Sequence, residues 1–96
     1  LEQVSRAESL LAAGQPAAAF DATRETWLVR EALDEPLRAR LAAARARAQD
    51  ASGRPEDALA SLRAALGGLQ SAEPRRALHL LAGELLEARG RYEQAA

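Results

Sequence analysis

The sequence predicts an all-α fold assembled from repeated helix pairs, and three observations carry that prediction. Alanine fills 25 positions and leucine 16, against two valines, no isoleucine and one each of Phe20, Trp27 and Tyr92. Sheets draw on β-branched and aromatic residues, so this composition excludes an all-β or α/β domain. Glycines and prolines punctuate the chain at helix-length intervals. The same local chemistry also recurs around Gly14, Gly53 and Gly90, separated by 39 and 37 residues. Ninety-six residues suffice for one compact domain or a few small repeats.

The expected helices follow from these breaks. The first spans 2–13 and stops at Gly14, where glycine takes a left-handed conformation at low cost. The second spans 16–33 and opens on Pro16, a first-turn position whose missing N–H costs nothing. Asp34-Glu35-Pro36 then separates it from a third helix over 36–52, which ends at Gly53. Pro55 opens a fourth over 55–66, and the stretch from Gly67-Gly68 to Glu73-Pro74 precedes a fifth over 74–89. Gly90 is expected to turn the chain into a sixth helix from 91, with Tyr92 in the turn and packed under its own unit.

The match among the three glycines extends outward. Seven residues before them stand Ala7, Ala46 and Gly83; five after stand Ala19, Ala58 and Ala95. Thr26 and Ala65 lie twelve after the first two. Small residues at these places are expected where paired helices cross, with Leu10, Phe20, Leu62 and Leu86 filling the space beside them. Trp27, late in the second helix, is expected to pack against the following pair rather than to hold a ligand.

These segments resemble the tetratricopeptide repeat family: 80–86 with 90–95 run close to its first helix and turn, and 53–66 matches its turn and second helix, whereas the alanine- and arginine-rich helix before Gly53 carries none of the likeness. The resemblance spans the chain as units of about 1–35, 36–72 and a truncated 73–96. It implies an α-solenoid of antiparallel helix pairs wound as a right-handed superhelix. The period exceeds the family's usual 34, and the aromatic near the start of each first helix is missing. The resemblance also implies a concave groove lined by the first helices, which holds a partner's peptide segment. Carried over residue by residue, the groove takes Val4, Glu8 and Leu11 from the first helix. Arg40, Ala43, Arg47 and Asp50 come from the third helix, and Leu80, Glu84 and Glu87 from the fifth. Arg40 and Arg47 would form a cationic centre, with Glu8, Glu84 and Glu87 selecting basic residues at either side. Arg47 and Asp50 are also spaced to pair within the helix. The subfamily that clamps chaperone C-termini uses lysine and asparagine, and this sequence contains neither.

Other chemistries find little support. There is no cysteine, hence no disulfide, thiol nucleophile or cysteine zinc site. His79 is the single histidine; Glu84 and Glu87 follow it one and two turns on, without a recognised ligand spacing. No serine sits in a nucleophile-elbow pattern, and Gly67-Gly68 lacks the lysine of a phosphate loop. Neither an enzyme nor a cofactor is expected. A formal charge of −1, with acids balancing the arginines and no interleaved aromatics, argues against nucleic acid. No apolar run reaches the length of a membrane span.

The expected function is a protein–protein interaction scaffold. All thirteen basic residues are arginine, and Lys, Asn, Ile and Met are absent, a codon bias that points to a GC-rich bacterium. There the resemblance extends to periplasmic scaffolds of secretion and exopolysaccharide-export machinery, placed slightly ahead, and equally to helical-repeat domains of cytoplasmic transcription regulators. The residues leave both open, together with a structural or dimerisation module. Because the sixth helix is incomplete, Leu81 and Leu85 are expected to lack a partner and to drive self-association at that end.

Overall fold

The computed structural model describes residues 2–95, with side chains as far as Gly90. It contains helices α1 (Glu2–Ala12), α2 (Pro16–Leu28), α3 (Glu35–Ala51), α4 (Pro55–Leu66) and α5 (Ala72–Ala95), with a 3-10 turn at Arg30–Ala32. Among the described residues there is no strand. Each helix packs on the next, while α1, α3 and α5 also lie side by side in that order. The result is two layers, α1/α3/α5 and α2/α4, within 42 × 28 × 18 Å.

The first two glycine turns are built alike. Gly14 has φ +75° and Gly53 φ +80°, the left-handed region that glycine enters without steric cost. The N–H of Gly14 donates to Leu11 O at 3.0 Å and that of Gln15 to Leu10 O at 2.9 Å. At the second turn Gly53 donates to Asp50 O at 3.0 Å and Arg54 to Gln49 O at 2.8 Å. Both are Schellman turns, which satisfy the last carbonyls of α1 and α3. Pro16 and Pro55 then restart the chain as helix, with Gln15 and Arg54 before them in nearly the same non-helical conformation.

Gly90 does not turn. Helix α5 runs through Gly83 and Gly90 without a break, so the fifth and sixth expected helices are one. The decisive difference is two residues downstream, where the first two glycines have proline and Gly90 has Tyr92. Without proline, nothing pushes residue 91 out of the helical region, and glycine alone is a weak stop. The aligned Tyr92 and Ala95 side chains, and Ala96, lie outside the described residues.

The second helix is also shorter than expected. Val29 departs from helical geometry at φ −114°, and the Arg30 guanidinium donates to Trp27 O at 3.0 Å, capping the frayed end. Asp34 caps α3 by accepting from Leu37 N at 2.9 Å. Arg38 ties the two inter-hairpin linkers together. It donates through Nε to Arg30 O at 3.1 Å, through Nη2 to Leu33 O at 2.9 Å and through Nη1 to Gly68 O at 3.0 Å. Glu35 accepts from the N–H groups of Gln70 and Ser71 at 2.7 and 2.8 Å, just before α5 begins. These backbone hydrogen bonds hold its carboxyl below the ordinary 4.5.

The core joins alanines of α3 (Ala39, Ala42, Ala46) to Ala58, Leu62 and Ala65 of α4 and Leu78, Leu81 and Leu85 of α5. Alanine on the central helix lets both neighbours approach closely, and leucine on the outer helices fills the gaps. Ala7, Ala19, Ala46 and Ala58 are fully buried, and Thr26 and Ala65 are buried as well. Gly83 is the exception. It is exposed, and an added Cβ would meet no heavy atom within 4 Å, so it is no packing position. Leu81 and Leu85 also depart from expectation, because the core of this same chain covers them. Leu80 and Leu86 face outward instead, at 63% and 53% exposure. Leu86 therefore fills no space between helices, because it lies about 100° around α5 from Leu85.

Candidate functional site

The outward face of α1, α3 and α5 is fixed by what α3 must bury. As the central helix, it sinks Leu41, Ala42, Ala44, Ala46, Ala48 and Gln49 into contacts on both sides. What remains outward is a narrow stripe containing Arg40 and Arg47, both exposed, with Ala43 half-buried between them and Asp50 half-buried beyond Arg47. On α1, Glu8 and Leu11 are half-buried; on α5, Leu80, Glu84 and Glu87 are exposed. Val4 does not belong to this surface. It is fully buried, one helical turn from buried Ala7 on the inward stripe of α1.

Charge on this face is arranged differently from the expected cationic centre between acidic ends. Arg40 binds Glu8 across the α1–α3 seam in a two-pronged ion pair, Nη2 to Oε1 at 2.6 Å and Nε to Oε2 at 3.2 Å. Glu8 raises the guanidinium's pKa further above its ordinary value. The two side chains largely neutralise one another, so Glu8 is a structural partner of Arg40. Arg47 and Asp50, by contrast, form no ion pair with one another. Arg47 therefore presents its charge to solvent. Further along, Arg89 reaches Glu56 at 2.7 Å and fastens the distal part of α5 to the start of α4.

A second concave feature lies elsewhere. An open cleft of ≈ 920 Å³ is lined by Arg6 and Leu10 of α1, by Asp21, Arg24, Glu25, Trp27 and Leu28 of α2, and by Arg45 of α3. Trp27 is half-buried and packs on the α3–α4–α5 core, as its position in the sequence predicts. Its ring also meets two guanidinium groups, Arg30 at 4.3 Å and Arg45 at 5.0 Å from the centroid. Arg45 stacks on Phe20 as well, at 4.4 Å, and donates from Nη1 to Thr23 Oγ1 at 3.1 Å. The Thr23 hydroxyl in turn donates to Phe20 O at 2.7 Å. The buried Nε of Arg45 has no hydrogen-bond partner. Burial pushes the Arg45 pKa down, and the like charges of Arg30 and Arg24 add to that.

The inward turn of Arg45 carried a signal in the sequence. Arg45 and Arg47 are two residues apart, so about 200° separates them around a helix, and a helix packed on both sides must bring one inward. His79 is exposed, and no three His, Asp or Glu side chains among the described residues come together as a metal site. No helix among the described residues is long and apolar enough to cross a membrane. No protein-family model matches the chain, and neither a curated protein nor a solved structure shows significant similarity to it.

Proposed function

We propose that this chain is a tetratricopeptide-like α-solenoid segment, acting as a protein–protein interaction scaffold without chemistry of its own. The observation that carries this reading is the pair of Schellman turns 39 residues apart, each closing a hairpin that leaves its first helix on a shared outer face. Stacked hairpins bury their apolar sides against each other and keep one surface open along the array. On that surface the peptide groove takes Arg47, Ala43, Asp50, Leu11, Leu80, Glu84 and Glu87, with the Arg40–Glu8 pair as its fixed wall. In a GC-rich bacterium the scaffold fits a secretion or exopolysaccharide-export assembly in the periplasm, with a cytoplasmic transcription regulator as the alternative setting.

A dimerisation module is the second reading, favoured by exposed Leu80 and Leu86 on α5 and by Leu28 at 81% exposure. One experiment separates the two. A photocrosslinking residue is placed at Ala43 on the outer face and, as a control, at exposed Ala60 on α4, in cells of the source organism. The scaffold reading expects a heterologous adduct at Ala43, absent at Ala60 and weakened by Arg47→Glu. Adducts of twice the chain's own mass, with a concentration-dependent dimer in light scattering, would replace it with the dimer.

A further inference from the structure

We infer that the cleft between α1 and α2 is a second recognition site, one that takes a carboxylate of an acidic partner segment on Arg45 beside Trp27. Arg45 differs from the other arginines that the fold employs. Arg40 and Arg89 have carboxylate partners at 2.6 and 2.7 Å, and Arg38 and Arg75 spend their donors on helix-end and linker carbonyls. Arg45 is half-buried, has one hydroxyl for a partner and is flanked by the positive charges of Arg30 and Arg24. Its guanidinium lies against both the Phe20 and the Trp27 rings, and these two contacts with the Thr23 hydrogen bond restrain the direction of the remaining donors. A guanidinium fixed in this way is prepared for the fork-shaped hydrogen bonding that a carboxylate completes.

The charge of the cleft selects among anions. Arg30 is not among the side chains that line it; of those that do, Arg6, Arg24 and Arg45 stand against Asp21 and Glu25, leaving one net positive charge. A carboxylate neutralises that charge, whereas a phosphate dianion overshoots it and meets two acids. Leu10 and Leu28 add apolar lining, and the exposure of Leu28 gives a flanking aliphatic side chain a surface to cover. The occupant is therefore a peptide segment with an acidic residue beside apolar ones.

The inference rests on the interaction reading above but uses a different surface, so the two are tested separately. Trp27 is the only tryptophan, and its fluorescence reports directly on the cleft. The full chain is titrated with a capped hexapeptide of alternating leucine and glutamate, with its leucine–glutamine counterpart, and with inorganic phosphate. The glutamate peptide is expected to shift Trp27 emission saturably, and the glutamine peptide and phosphate are not. Arg45→Lys should weaken binding about tenfold by removing the fork. Arg24→Gln, at an exposed position that leaves the fold intact, should weaken it to a smaller extent. Absence of a saturable shift at millimolar peptide, an equal response to the glutamine peptide, or displacement by equimolar phosphate would each overturn the inference. An Ala43 adduct that persists alongside such a result leaves the scaffold standing without this site.

Discussion

Gly53 and Gly83 form a matched pair in which the same substitution should have opposite signs. A Cβ added at either would meet no heavy atom within 4 Å, so packing plays no part. Only the backbone differs: Gly53 has φ +80°, whereas Gly83 lies inside α5. Gly83→Ala removes the entropic cost of glycine in an exposed helix interior and should stabilise by about 0.8–1 kcal/mol. Gly53→Ala holds alanine in the left-handed region at a cost of about 1–2 kcal/mol, partly offset by about 0.4–1 kcal/mol from a less flexible unfolded chain. The net loss is on the order of 1 kcal/mol. For a domain of this size each kcal/mol moves the melting temperature by about 4–8 °C, so the two variants should melt roughly 10 °C apart. Far-UV circular dichroism on heating and in urea reads the difference, with midpoints moving at constant slope. Gly90→Ala extends the test, because in a continuous α5 it must follow Gly83→Ala. A lower melting temperature for Gly83→Ala would refute this account of α5. A Gly90→Ala result resembling Gly53→Ala would restore the turn.

Three further outcomes are expected. Ala58→Leu, at a fully buried crossing of α3 and α4, should cost about 1–3 kcal/mol by overpacking, while Ala60→Leu on the exposed side of α4 should stay within about 0.5 kcal/mol; urea titration compares them. Arg38→Met keeps the aliphatic stem but strips the linker carbonyls of their donors, so it should cost about 2–3 kcal/mol and speed amide exchange across both linkers. Glu35→Gln should destabilise the fold at neutral pH, where the native carboxylate holds two backbone N–H groups. Because the folded pKa lies below the ordinary 4.5, this advantage is fully present above that value and is lost as pH falls through the folded one. The gap in melting temperature between Glu35→Gln and the parent should therefore close in acid, and a gap independent of pH would contradict the carboxylate's role.

The helical class, the Gly14 and Gly53 turns, the proline helix starts and the alanine crossings were all legible in the sequence, because each follows from a local preference repeated at fixed spacing. A glycine followed two residues later by proline leaves the backbone one inexpensive route, and the chain takes it twice. At Gly90 the glycine is present without the proline, and the alignment alone assigned a turn that helix propagation overrides. Tertiary contact decided which charges are available. Glu8 and Arg40 lie 32 residues apart, and nothing local says they will neutralise each other across the α1–α3 seam. The inward placement of Arg45 and the linker role of Arg38 were equally out of reach, since both depend on which faces of α3 its neighbours cover. Local sequence sets where helices start and stop; the faces they bury, and with them the partner of every long charged side chain, are set only when the helices meet.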